Sequence, residues 1–552
     1  MYKSFYLLLV KIFKPYYKSI FVYCILMVIN AILLMPIPFL SRYIIDVCIP
    51  VKNYASILII ALAIFAVYIV QKLLGYFQGL FFYKVNRLGV IRLRALMLKK
   101  LYRVQDAIRR RFSSSYLTMR VDADTENLNP LFADRLALLL QDILYFIVGV
   151  ISMIFLSKKL SIIVLASLLL YVLEIAFYKD KLTAAAQKNI ESNAVCFANT
   201  EECIQGLRTS VLFQNPSYLF SKFFRYEKNT FKTGIFQFNM SMKYSIILSV
   251  ISYIPYLTSL LVGASLIINN QWSLGSMLAF QSFIAYVFDP VTSIMNYISS
   301  LQSSKASISR IQEVFSYEEE PSSSKISMVQ SVESIEFKNV SFAYDSNKIL
   351  TNITFSMRKN EKVALVGPSG SGKSTIVALL LGLIRPLSGE ILINNICADQ
   401  SLLIKYRSRI KLIEQEGFLF DSTVEDNMKL VLSCSNLAQI KARVALEHFE
   451  AYFPCWDDVY HNRVGPNGNK LSGGEKQLVC LLRCLLTNPD IMILDETTSN
   501  VDEDREDRVL KYLLESGCGI IMITHRSRNL NRFDKVIFIE SGIVTSQRVN
   551  GD

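Results

Sequence analysis

The stretch KVALVGPSGSGKSTIVALLLGL, Lys362 to Leu383, decides the fold of the C-terminal part of this 552-residue chain. Five strand-forming residues run into a glycine-rich turn, and an apolar helix-forming run follows. Between a strand and a helix, GPSGSGKS at Gly367–Ser374 has the spacing of a phosphate-binding loop. Gly367, Gly370 and Gly372, with Ser369 and Ser371 between them, let backbone N–H groups curl round an anion. The helix that opens near Lys373, with Thr375 in its first turn, points its positive end at the same place. Lys373 is placed to bridge β- and γ-phosphates, and Ser374 to ligate magnesium.

Downstream, IMILDE at Ile491–Glu496 is an apolar strand ending in two acids. As a second strand beside a phosphate loop, it offers Asp495 as a metal ligand and Glu496 as the general base that polarises an attacking water. A buried strand with a solvated end is the plainer reading of the same residues. From Ser334 onward, short β-rich runs alternate with helical patterns, as in a mainly parallel sheet flanked by helices.

Upstream the chain has another character. Hydrophobic residues make up 52% of it against 19% charged, and the apolar ones gather towards the N-terminus. Ser19–Ser41 and Tyr54–Gln71 are uncharged and long enough to cross a bilayer core, which takes about 20 residues. Leu136–Ser157 and Leu160–Tyr178 form a second pair joined by Lys158-Lys159, and each contains one acid, Asp142 and Glu174. The uncharged run Tyr244–Phe288 is too long for one crossing and splits at Asn269-Asn270-Gln271. Six spans result, with both chain ends on one side.

Net charge is +13, yet the basic residues cluster between apolar segments, as in Lys84, Arg87, Arg92, Arg94 and the run Arg109-Arg110-Arg111. That pattern marks cytoplasmic loops and places both termini in the cytosol. Lys158 and Lys159 dissent but are outnumbered. No stacking platform or groove-reading motif accompanies the charge, so nucleic acid is not an expected partner. The long charged segments after spans two and four read as span helices continuing into the cytosol. The first residues, MYKSFYLLLVKIFKPYYKS, suit an interfacial helix better than a cleaved signal. Ten cysteines are scattered without metal-ligand spacing, and Cys480 and Cys484 share one helix face, which suits core packing. The acidic, Ser-rich SYEEEPSSSK with Pro321 marks the domain boundary. The expected layout is a membrane domain over 1–315, a linker over 316–332 and a nucleotide-binding domain over 333–552.

LSGGE at Leu471–Glu475 narrows the class, since it closely precedes the acidic strand and resembles the ATP-binding-cassette signature. The resemblance covers the whole chain, because the N-terminal half looks like the six-span exporter membrane domain, including Ile45-Asp46 after span one and Asp289-Pro290 in span six. It implies an α-helical transmembrane domain followed by an α/β P-loop ATPase domain with a helical subdomain, and ATP and Mg2+ as cofactors. By resemblance, Tyr344 in SFAYD stacks on adenine, although a buried strand tyrosine would read the same way. Gln415 in LIEQEGFLF contacts magnesium and the lytic water, His525 in MITHR touches the γ-phosphate, and Asp502 lies between the two sites of a dimer. Ser472, Gly473 and Gly474 are implied to bind the γ-phosphate held by a second half-transporter, so one chain completes no site. Coupling segments are expected around Arg111–Leu117 and Cys203–Leu212.

Two positions depart from the family pattern: Glu475 where Gln is commonest, and Pro466 where exporters usually carry Glu. They leave open a homodimer or a heterodimer with one slowed site. The resemblance implies ATP-driven export of an amphipathic drug, peptide or lipid across the plasma membrane. A regulatory or ATP-gated subunit of a heterodimer is the alternative, though intact catalytic residues argue against it. No peptidase segment precedes the first span, so leader-peptide cleavage is not expected. Asp289 and Glu174, ionisable within spans, are candidates for a substrate path, or simply polar contacts between helices.

Overall fold

The computed structural model describes residues 10, 12–128, 133–321, 329–344, 347–415, 417–431, 461–495, 503–515, 517–525 and 530–549. The chain divides into two units, one of Met1–Tyr102 with Ser113–Ser316 and one of Arg103–Phe112 with Tyr317–Asp552.

Among the described residues the first unit is helical. Helix α1 (Tyr17–Leu34) meets α2 (Pro36–Tyr43) at Pro36, whose ring and missing N–H break the ladder. A wider π-type turn, Ile44–Cys48, closes this first span. Four long helices and one shorter helix follow: α3 (Tyr54–Arg103), α4 (Ala133–Leu156), α5 (Lys158–Gln205), α6 (Pro216–Ile268) and α7 (Leu274–Ser316). Six helical stretches are long and apolar enough to cross a membrane, and they coincide with the six expected spans. The chain turns between α6 and α7 at Asn269–Gln271, with Asn270 at φ +53°, a left-handed conformation that asparagine tolerates.

Length supports the expected helix extensions. Helices of 50, 48 and 53 residues (α3, α5 and α6) measure roughly 75 Å, against a hydrocarbon core of about 30 Å. No residue in the apolar stretch of α3 is buried within the chain, a surface that lipid rather than water suits. Leu160, Val164 and Tyr171 of α5 pack instead on Phe280, Phe283 and Val287 of α7. Asp46 fixes the other end of α7. Its carboxylate accepts the Gly275 N–H at 2.9 Å and the Ser273 hydroxyl at 2.5 Å, satisfying groups at the start of that helix. The expected N-terminal interfacial helix falls largely on residues 1–9 and 11, outside the described residues.

The second unit carries two sheets. Strands β1 (Ser334–Tyr344), β2 (Asn347–Arg358), β4 (Ser388–Ile393) and β5 (Ile396–Cys397) form an antiparallel sheet in the order β2-β1-β4-β5. The other contains β3 (Lys362–Val366), β6 (Ile410–Ile413), β7 (Ile491–Asp495), β8 (Gly519–Thr524), β9 (Lys535–Glu540) and β10 (Ile543–Val549), in the order β10-β9-β3-β8-β7-β6. All its pairings are parallel except β10 with β9. Every residue of β3 and β8 is buried, as in strands covered on both faces. Helices α8 (Lys373–Leu380) and α9 (Gly473–Leu485) flank this sheet. Of the helical subdomain between β6 and β7, residues 432–460 lie outside the described residues.

Arg103–Phe112 belongs with this unit, because long-range backbone bonds tie it to the residues after α7. The Gln105 N–H donates to the Glu318 carbonyl at 3.2 Å, and the Glu320 N–H to the Arg103 carbonyl at 2.7 Å. The Glu320 carboxylate then takes Arg407 in a two-pronged ion pair at 2.8 and 3.2 Å, with Arg109 at 3.7 Å. Local sequence pattern carries no signal for such a pairing.

Candidate functional site

Four parallel strands deliver the candidate residues to one edge of the six-stranded sheet. Val366, the last residue of β3, pairs with Thr524 of β8, Ile523 pairs with Asp495 of β7, and Leu494 pairs with Ile413 of β6. Their carboxyl ends therefore lie level. The loop Gly367–Ser374 leaves β3 there, His525 follows β8, Asp495 ends β7, and Gln415 follows β6. Strands about 4.8 Å apart place the loops after β3 and β6 roughly 14 Å from one another, the scale of a nucleoside triphosphate with its metal. Glu496 and Asp502 lie outside the described residues.

The loop is packed beneath and open above. A β-carbon at Gly367 would fall 2.1 Å from the Ile539 carbonyl oxygen. Gly372, at φ +101°, caps α8 without a side-chain hydrogen bond, and a β-carbon there would strike Leu350 Cδ2 at 2.5 Å. Backbone N–H groups at the start of α8 thus have no capping side chain and face the anion position. Lys373 is buried, its Nζ donating to the carbonyl oxygens of Gly367 and Pro368, each at 2.8 Å, and reaching Ser371 Oγ at 3.4 Å. Ser371 is buried, while Ser369, Gly370 and Ser374 are exposed and Thr375 is half-buried. This donor set fits a phosphate chain, and the Ser374 hydroxyl with the Asp495 carboxylate fits a hard cation that prefers oxygen ligands.

Tyr344 ends β1 beside the same loop. Its hairpin partner strand β2 carries Leu350, which Gly372 faces directly. The Tyr344 ring is about half exposed and meets Phe342 edge-on at 4.8 Å, so it presents an aromatic surface rather than being buried in the strand.

Ser472 caps α9, and Glu475 closes a reciprocal capping box with it, leaving Gly473 and Gly474 in the first turn. Helix α9 grips the segment that follows Gln415. Arg483 donates to the Phe418 carbonyl at 3.1 Å, and a β-carbon on Gly417 would fall 2.4 Å from Cys480 Sγ. Cys480 and Cys484 serve packing here, and burial pushes the Cys484 thiol up to about 11. Reading the sequence missed Gly417 and Arg483, whose roles depend on contacts across some 65 residues.

In the helical unit, Asp289 is exposed on α7. Glu174 is half-buried on α5. Asp124, which sequence reading also missed, is buried and takes Arg310 Nε and Nη2 at 2.9 and 2.5 Å, Arg120 at 2.8 Å and the Ser307 hydroxyl at 3.0 Å.

Comparison with known proteins agrees with this arrangement. Residues 20–291 match the family model described as ABC transporter transmembrane region, and residues 350–499 that described as ABC transporter. The ATP-dependent lipid A-core flippase of Syntrophus aciditrophicus is 25% identical over 546 residues, covering 98% of this chain and 90% of that one. The lactococcin-A transport/processing ATP-binding protein LcnC of Lactococcus lactis is 29% identical over 392 residues, which span 70% of this chain and 54% of that longer protein. The structure of a bacterial Atm1-family ABC exporter with ATP bound superposes with a TM-score of 0.80 at 20% identity, over 97% of this chain and 96% of that one, a likeness of fold. The chain belongs to the ATP-binding-cassette exporters, a half-transporter in which one membrane domain is followed by an ATPase domain coupled to transport.

Proposed function

We propose that this chain is one half of a dimer that uses ATP to move an amphipathic drug, peptide or lipid outward across the plasma membrane, with the ATPase domain and both termini in the cytosol. The level carboxyl ends of β3, β8, β7 and β6 carry this reading, since they bring loop, His525, Asp495 and Gln415 to one edge. Gly367–Thr375 cradles the phosphates and Tyr344 stacks on adenine. Ser374, Asp495 and Gln415 would hold Mg2+, which supplies charge neutralisation on the β- and γ-phosphates. Glu496 takes the proton of the attacking water, and His525 fixes the γ-phosphate against it.

Ser472, Gly473 and Gly474 serve the site of a second half-transporter, identical or different. The segment Cys203–Leu212 between α5 and α6 exposes Leu207, Val211 and Leu212, and we assign it, with the segment around Arg111–Leu117, to transmitting closure to the spans. The reading is tested by ATP-dependent uptake into inside-out vesicles together with ATPase turnover. Glu496→Gln should abolish both. Unchanged hydrolysis would remove Glu496 from the reaction, and hydrolysis without uptake of any tested compound would favour a regulatory subunit.

A further inference from the structure

The polar continuations of α5 and α6 border an open, groove-like cavity of about 590 Å³, lined among others by Lys188 of α5 and by Arg225, Lys228 and Lys232 of α6. A polar ladder fixes the phase of the two helices. Asn189 Nδ2 donates to Gln237 Oε1 at 2.7 Å, Asn229 Nδ2 to Ser192 Oγ at 3.1 Å, and Thr233 Oγ1 to Asn189 Oδ1 at 3.2 Å. With Asn229 and Thr233 turned to α5, positions 225, 228 and 232 share the flank beside them.

Neutral groups thus hold the helices together and leave the cations uncommitted. Among the described residues, none of the four basic groups has a carboxylate within ion-pair distance. The contrast lies one turn away, where Lys222 meets Glu202 at 2.7 Å. One acid, Glu191, shares the wall and accepts from the Gln187 amide at 2.9 Å, while Glu227 of α6 takes the Cys196 thiol at 3.4 Å. With four basic groups against one carboxylate, the lining carries a net positive charge, and a concave wall with such an excess focuses the potential and concentrates counter-ions. The volume lies within the range of small-molecule sites, about 300–1,000 Å³.

Position selects the source of the anion. Lys188 lies about ten residues beyond Tyr178, where the apolar part of α5 ends, and Lys232 about twelve before Tyr244, roughly 15–18 Å along each helix. A headgroup layer extends only about 5–8 Å past the hydrocarbon. We propose that this cavity binds a soluble small molecule carrying several phosphate or carboxylate groups.

Calorimetric titration of myo-inositol hexakisphosphate into the full chain, in phosphatidylcholine nanodiscs with the nucleotide site saturated by a non-hydrolysable analogue, tests this. Saturable binding is expected, weakened at least about tenfold by Lys188→Gln/Lys228→Gln/Lys232→Gln and kept within about twofold by the corresponding Arg variant. Should the Gln variant not purify, Lys232→Gln alone is expected to cost about threefold. Absence of binding overturns the proposal. So does equal weakening by Lys52→Gln/Lys158→Gln/Lys159→Gln, which removes the same charge elsewhere. Displacement of the probe by phosphatidylglycerol in the nanodisc would reassign the cavity to lipid.

Discussion

The Glu475 carboxylate accepts both the backbone N–H and the hydroxyl of Ser472, each at 2.8 Å, while Ser472 Oγ accepts the Glu475 N–H at 3.3 Å. A helix N-terminus that would welcome an anion already holds one. The carboxylate stabilises α9 as a cap, yet it opposes a phosphate approaching Ser472 and Gly474. Glutamine at this position keeps a carbonyl oxygen for the Ser472 N–H and removes the charge.

Glu475→Gln is therefore expected to raise ATPase kcat/KM about two- to fivefold, the size of one charge at a helix terminus. The gain should shrink in high salt, which screens an exposed charge. Steady-state hydrolysis at two ionic strengths measures it, and an unchanged or lowered rate sinks the idea.

The strand, glycine-rich loop and helix of Lys362–Leu380, the six apolar helices and the turn at Asn269–Gln271 all rest on runs of neighbouring residues, and they stand where the sequence places them. Glu475 stood out only as an unusual letter, and its partner became visible once α9 had a start. Beyond the local Arg120–Asp124 pair, the partners that bury Asp124 and Glu320 could not be read, because Arg310 and Arg407 lie about 186 and 87 residues away along the chain. Pairings across such separations leave no periodic trace.

Asp124 gives the second prediction. Burial alone would raise its pKa, but Arg310, Arg120 and Ser307 more than offset this and hold it below the usual carboxylate range. A group depressed in the folded state stabilises fully above its unfolded pKa, about 3.9, and that stabilisation is lost as pH falls through the folded value. Asp124→Asn should cost about 3 kcal/mol at pH 7, the low end for breaking a buried pair because the Arg310 side chain remains 35% exposed. The gap in unfolding midpoint between variant and parent should hold from pH 6 to 8 and narrow only in acid, below about pH 4. A gap that widens in acid contradicts the assignment.

Thiol reactivity follows burial. Cys397 is exposed, whereas burial pushes the Cys484 and Cys518 thiols up to about 11. Iodoacetamide at neutral pH should modify Cys397 and spare Cys484 and Cys518 in the folded protein, with all three modified after denaturation. Peptide mass spectrometry resolves the sites, and rapid labelling of Cys484 in folded protein would show that α9 does not stay packed on β6.

The last prediction concerns the grip of α9 on the segment after Gln415. A β-carbon at Gly417 would meet Cys480 Sγ at 2.4 Å, closer than side chains approach, while the backbone itself tolerates alanine there. Gly417→Ala must push the segment away from α9 and is expected to cost about 1–3 kcal/mol, as other overpacked sites do. Because that segment positions Gln415, ATPase turnover should fall as well. Cys480→Ala removes the sulfur that collides, so the double variant should recover most of both losses, an interaction that a cycle of the four proteins isolates. Additive losses in that cycle would mean that Gly417 and Cys480 do not touch in the working enzyme.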